Sequence, residues 1–159
     1  MIPQEIHSAL KKAFADAVQE LSTEGAGDPF IVVAGDRVRD ICKHLRDEAD
    51  LAFDTLMCLS GIDFADGTLG VVYHLDSMQK KHKLTLKVRV PAEAPECQSV
   101  EAVWKTANWH EREAFDLFGI RFEGHPDLRR ILLPDDWVGY PLRKDYQLPE
   151  YYRGMKVPY

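Results

Sequence analysis

Residues with chemical potential are densest between positions 109 and 130. The run Trp109-His110-Glu111-Arg112-Glu113-Ala114-Phe115-Asp116-Leu117-Phe118 holds three carboxylates, a guanidinium and an imidazole, and His125, Arg129 and Arg130 follow closely. His110-Glu111 is how a zincin helix begins, but its second histidine belongs at position 114, where this chain has Ala114. Glu113 and Asp116 form a candidate carboxylate pair for acid–base work, a role that needs environments pushing the two pKa values apart. No glycine-rich phosphate loop or serine elbow accompanies them. The remaining use of such a set is structural. Asn108 and Glu111 have the spacing of a capping box, and acids in a first turn suit the helix dipole. Glu111 and Glu113 are therefore expected to be a capping acid and a solvated acid. Asp116 breaks the pattern, because it falls in the last turn and three residues after a like charge. Arg112, Glu113 and Asp116 share one helical face, which calls for a cation from elsewhere. One arginine among Arg121, Arg129, Arg130 and Arg143 is expected to pair with Glu113 or Asp116.

The bulk composition narrows the function classes. Cys42, Cys58 and Cys97 are odd in number, form no CxxC, and fall short of the four thiolates of a usual iron–sulfur cluster. They read as buried thiols in a reducing compartment. None of the histidines lies at a ligand spacing from a cysteine, so no metal and no cofactor are expected in the chain. A net charge of −6 argues against nucleic acid as a partner. No apolar run reaches the 18 or so residues of a membrane span, and Met1-Ile2-Pro3-Gln4-Glu5 lacks the basic start of a secretory signal.

The elements that must position the charged run read as α+β, with a mostly antiparallel sheet packed with helices. Ile6, Leu10, Ala13, Phe14, Ala17 and Leu21 recur at helical spacing after Pro3. A break at Gly25-Ala26-Gly27-Asp28-Pro29 precedes a strand-like Phe30–Ala34, and Asp36 is placed to cap a helix carrying Val38, Ile41, Cys42 and Leu45. Strands are expected over Phe53–Ile62, Leu69–Leu75 and Leu84–Val90, the last two joined as an antiparallel hairpin. Ser99 is placed to cap a short helix with Val100, Val103 and Trp104, and Gly119 to end the helix that starts at Trp109.

Residues 1–120 thus form one α+β domain, and residues 121–159 form a long extended C-terminal tail. The tail holds five of the nine prolines, five of the six tyrosines, and seven basic against six acidic residues. Proline at 126, 134, 141, 149 and 158 forbids a long helix, while the aromatic content is unlike a disordered chain. Tyrosine and arginine on an extended segment are residues of protein interfaces. Trp137, Tyr140, Arg143, Lys144, Tyr146, Tyr151, Tyr152 and Tyr159 are the candidate partner-docking residues. The alternative is a tail wrapped over its own domain, and the two can be combined, the first half on the domain and the second on a neighbour.

The same residues carry a family resemblance. Glu111-Arg112-Glu113, two residues, Asp116-Leu117-Phe118, six residues, His125, three residues, Arg129, one residue, Ile131-Leu132 resembles the signature of the C subunit of NADH-quinone oxidoreductase, a peripheral-arm chain of respiratory complex I. Leu132–Trp137, Pro141–Tyr146, Lys156–Tyr159, Val71–Leu75 and Lys87–Pro91 are similar to that family too, so the resemblance covers about residues 50–159. It implies a subunit with no chemistry of its own, packed beside the quinone-cavity subunit of a proton-translocating complex at the cytoplasmic face of the membrane. FMN, iron–sulfur clusters and quinone would then belong to partner subunits, and Glu111, Arg112, Glu113, Asp116, His125, Arg129 and Arg130 would form a structural charge network. The equivalent subunit of a membrane-bound hydrogenase-type complex is the near alternative. A stand-alone hydrolase using His110, Glu113 and Asp116, and a nucleic-acid module using the tail, are the alternatives of other classes.

Overall fold

The computed structural model describes residues 1–23 and 27–157. Gly25 and Ala26 of the expected break and the candidate docking residue Tyr159 lie outside the described residues. Pro3 opens helix α1 (Pro3–Phe14), and the Glu5 carboxylate accepts the Ile2 N–H that precedes its first turn. The helix stops well short of Leu21. Ala15 turns the chain with φ 43°, Ala15–Ala17 make a 3₁₀ turn, and Val18–Ser22 become strand β1. Val18 and Leu21 pair with Val33 and Ile31, so sheet formation overrides a helical spacing that is real only as far as Phe14.

Strand β2 (Phe30–Val33) leads to α2 (Val38–Asp47), whose N-terminal boundary is Arg37 rather than the expected Asp36. Three long strands follow, β3 (Thr55–Asp63), β4 (Thr68–Ser77) and β5 (His82–Pro91). The five strands are ordered β1-β2-β5-β4-β3, antiparallel except for the parallel pair β2–β5. Strict alternation sets the register. Leu69, Val71, Tyr73 and Leu75 of β4 stand opposite Val90, Val88, Leu86 and Leu84 of β5, and all eight are buried. Ile6 and Leu10 of α1 and Val38, Ile41, Cys42 and Leu45 of α2 complete the same core. Burial of each such side chain contributes about 1.5–3 kcal/mol.

Beyond the sheet, β6 (Glu96–Gln98) pairs in parallel with β7 (Arg121–Glu123), and α3 (Ala107–Phe118) lies between them in sequence. The short helix expected after Ser99 is a single turn, with the Val103 and Trp104 N–H groups both donating to the Val100 carbonyl. Residues 124–157 hold no helix, and a small hairpin, β8 (Tyr151–Tyr152) with β9 (Met155–Lys156), closes them. Arg153 and Gly154 make its two-residue turn with φ 47° and 78°, the handedness that fits a right-twisted hairpin. No helix among the described residues is long and apolar enough to cross a membrane.

Candidate functional site

Helix α3 carries most of the charged run, and its two ends are fixed by different means. Asn108 does not cap it with Glu111, since the helix already begins at Ala107. At the other end Gly119 takes the left-handed conformation with φ 75°. A Cβ there would sit 2.5 Å from the Tyr140 ring, so glycine is needed both for the turn and for the seat of the tail's tyrosine. Phe118 in turn lies over Gly61 of β3, where a Cβ would meet its ring at 2.5 Å.

Asp116 is the centre of the site. Its side chain is fully buried, and Arg130 Nη1 donates to its Oδ1 at 2.7 Å. The backbone N–H groups of Ile131, Leu132 and Leu133 all donate to Oδ2, at 3.0, 2.7 and 2.9 Å. Burial pushes the carboxyl up, but those three N–H groups and the guanidinium outweigh it and hold Asp116 below the ordinary carboxylate range. Arg130 therefore supplies the pairing expected from one of four arginines. It also reaches the Asp116, Trp137 and Gly139 carbonyls. Arg112, one turn before Asp116, donates to the Arg129 and Arg130 carbonyls. Two residues of α3 thus bond the carbonyls of 129–130 and the N–H groups of 131–133, so a segment with no periodic structure has its polar backbone groups paired.

Glu113 does not share that face in practice. It is exposed, whereas Arg112 and Asp116 are buried against the tail. Glu111 overturns its expectation more sharply. It is fully buried, accepting from Ser99 Oγ at 2.6 Å and from the Val100 N–H at 2.7 Å, so it anchors the turn ahead of the helix instead of capping it. Burial pushes its pKa up to about 7, against the downward pull of those two bonds. His125 lies 4.0 Å away, equally buried. Its Nδ1 accepts the Asp127 N–H and its Nε2 faces the Asn108 carbonyl at 3.1 Å, the pattern of a ring that donates from Nε2. Arg129 faces outward, paired with Asp127 at 2.8 Å. Nearby, burial pushes the Cys97 thiol up to about 12, and it raises Cys42 and Tyr73 as well. Cys42 and Cys97 are the buried thiols expected, while Cys58 is only half-buried, with Sγ 3.2 Å from Ser60 Oγ.

The candidate docking residues fall into two groups. Tyr140, Arg143 and Lys144 bind the domain. Arg143 Nε donates to the Phe118 carbonyl at 2.6 Å with its guanidinium 5.0 Å from the Tyr140 ring, and the Lys144 N–H donates to Asp63 at 2.8 Å. Trp137, Tyr146 and Tyr152 bind one another instead: Trp137 donates to the Tyr146 hydroxyl at 3.1 Å and its ring stands 5.0 Å from Tyr152. Tyr152 and Arg153 both bond Asp136, and Tyr151 is exposed. Apolar side chains interleave with these and point outward, among them Leu132, Val138, Leu142, Leu148 and Met155, with Val138 81% exposed. Sequence reasoning missed Ser99 and Val100 as the partners of Glu111. It also missed Arg39, which reaches from α2 to the Ser99 and Glu123 carbonyls. Only pairing at long separation brings these residues together, and no local spacing signals it.

Residues 31–152 match the family described as respiratory-chain NADH dehydrogenase, 30 Kd subunit. A protein of Chlorobium phaeobacteroides, named as the C subunit of NADH-quinone oxidoreductase, is 45% identical over 96% of this chain and 93% of its own length. The chain belongs to that family. A relative of the same name from Chloroherpeton thalassium is 51% identical over 99% of this chain, which spans 66% of that relative's length. A solved structure of the trypsin-resistant fragment (1-134) of Nqo5 superposes with a TM-score of 0.64 at 30% identity, covering 77% of this chain and 98% of the fragment. A chain of the membrane-bound sulfane sulfur reductase, an archaeal respiratory membrane complex, shares the fold at TM-score 0.72 and 23% identity, over 91% of this chain and 85% of its own. In this member of the 30 Kd family the run resembling the signature, Glu111 to Leu132, is the run that folds into the buried network around Asp116 and Glu111.

Among the described residues no three His, Cys, Asp or Glu side chains converge as metal ligands. The arrangement pairs buried charge with the backbone of residues 129–133 and with Arg130.

Proposed function

We propose that this chain is a non-catalytic structural subunit of a proton-translocating NADH-quinone oxidoreductase, packed on the quinone-cavity subunit in the peripheral arm at the cytoplasmic face of the membrane. FMN, iron–sulfur clusters and quinone belong to its partners in this reading. The observation that carries it is the division of labour in the tail. Its polar backbone is engaged by Asp116 and Arg112 at residues 129–133 and by Arg130 at the Trp137 and Gly139 carbonyls, while Leu132, Val138, Leu142, Leu148 and Met155 are left facing outward. A buried charge set serving catalysis would keep a carboxylate free for a reacting group, and Asp116 instead has both oxygens taken by its own chain. An extended segment fixed from inside and apolar outside is pre-ordered for docking, which lowers the entropic cost of association.

The test is a tagged full-length chain carrying Leu132→Asp, Val138→Asp and Leu148→Asp, expressed in cells lacking the native copy. The side chains replaced are exposed, so thermal unfolding of the isolated variant should match the unaltered chain within about 0.5 kcal/mol per site. The unaltered chain is expected to co-purify with FMN and iron–sulfur proteins, and the variant to lose them. Co-purification undiminished by three aspartates would reject docking through the tail.

A further inference from the structure

The two edges of the five-stranded sheet are finished differently. At β1 the side chains of His7 and Lys11 reach the Gln19 and Val18 carbonyls. At β3 no backbone N–H or C=O of residues 55–63 bonds to anything except β4 among the described residues. Thr55-Leu56-Met57-Cys58-Leu59-Ser60-Gly61-Ile62 contains no charge and no proline, the devices that commonly blunt an open edge. The register shifts at Met57, but Cys58–Asp63 pair residue by residue with β4 and form a regular template.

This edge runs beside a groove of about 200 Å³ against α3. Leu59, Ala114, Leu117, Phe118 and Leu142 give the groove apolar walls, and Glu113 adds a carboxylate. Glu113 is exposed and has no ion-pair partner among the described residues. Trp109, one helical turn before it, is 69% exposed.

We infer that the free edge of β3 takes up an extended strand from a partner protein as a sixth strand, with alternate apolar side chains in the groove and a lysine or arginine beside Glu113. Backbone bonds to Cys58–Asp63 supply affinity and the groove supplies selectivity, the pattern of strand addition between a sheet edge and a helix. A second copy of this chain fits poorly. Edge-to-edge pairing would bring two α3 helices and two unpaired Glu113 carboxylates to one seam, between chains of net charge −6 each. A partner strand carrying a cation complements both the edge and the acid.

The inference rests on the assembly role proposed above, and one experiment separates the two: hydrogen exchange of the full chain, alone and within the respiratory complex isolated from native membranes. In the isolated chain every second amide of residues 58–63 is expected to exchange freely, and in the complex to slow by about 100-fold or more. If those amides stay free in the complex, strand addition is overturned, and slowing confined to residues 124–157 would leave tail docking standing. If they are already protected in an isolated dimer, a second copy occupies the edge and the inference fails. Glu113→Lys should lower recovery of the complex by about tenfold with unchanged unfolding of the isolated chain, and full recovery would remove the basic partner residue from the proposal.

Discussion

Replacing Asp116 with alanine is expected to lower the stability of the isolated chain by about 3–5 kcal/mol and to free residues 129–143 from the domain. The substitution deletes few atoms, and the loss arises from what is left behind. Arg130, only 15% exposed, loses its counter-charge, and the Ile131, Leu132 and Leu133 N–H groups lose their common acceptor. A buried donor left unsatisfied costs about 1–3 kcal/mol, and relaxation of the tail toward water limits the sum. Denaturant titration measures the stability change, and exchange at the amides of 131–133 reports the release. A loss below about 1 kcal/mol with those amides still protected would mean that the carboxylate is not the anchor. Acid should mimic the substitution. Because the folded pKa of Asp116 is depressed, its stabilisation is present above the ordinary carboxyl range and is lost as pH falls through the folded value.

Glu111→Gln is expected to act in the opposite sense. Burial raises the folded pKa from 4.5 to about 7, so the folded chain binds a proton more tightly than the unfolded one. Stability from this group is complete below pH about 4.5, falls between there and pH about 7, and is flat above. The span corresponds to about 3 kcal/mol. Glutamine keeps an acceptor for the Val100 N–H and offers a donor to Ser99 Oγ, but carries no charge. The variant should therefore match the unaltered chain near pH 4.5, exceed it by about 3 kcal/mol at pH 8, and lose the slope between. His125 lies 4.0 Å from the same carboxylate and the Cys42 thiol feels its charge, so the comparison is best made between single variants that leave both in place. An unaltered slope would assign the pH dependence to another group.

These two carboxylates show where sequence reading succeeds and where it stops. Asp116 breaks helix electrostatics locally, so a pairing of Glu113 or Asp116 with one of Arg121, Arg129, Arg130 and Arg143 was legible, while the choice of Asp116 and Arg130 was not. Glu111 obeyed every local rule for a first-turn acid, yet it is buried, because Ser99 and Val100 come to it from a turn that only the β6–β7 pairing fixes in place. The strands β4 and β5 were legible because apolar and more polar residues alternate along them, which yields a period of two, and β3 was legible as a mostly apolar run that ends near a turn signal. Strand β1 was not, since Ala17 and Leu21 continue a helical spacing, and Val18–Ser22 become a strand only when β2 pairs with them. The tail's prolines predicted an extended path. That Tyr140 would seat on Gly119 and Arg143 on the Phe118 carbonyl depended on contacts between segments far apart in sequence.

In the role proposed above, the charges of α3 hold the tail for assembly and take no part in electron transfer. Arg130→Lys in the intact complex, with NADH-quinone turnover measured per FMN, separates that role from a catalytic one. Lysine keeps the charge but cannot reach Asp116 together with the Trp137 and Gly139 carbonyls as the guanidinium does. The expected result is less assembled complex in the membrane, with turnover per FMN unchanged. Normal assembly with a turnover that falls would place this network in the reaction and contradict the structural role.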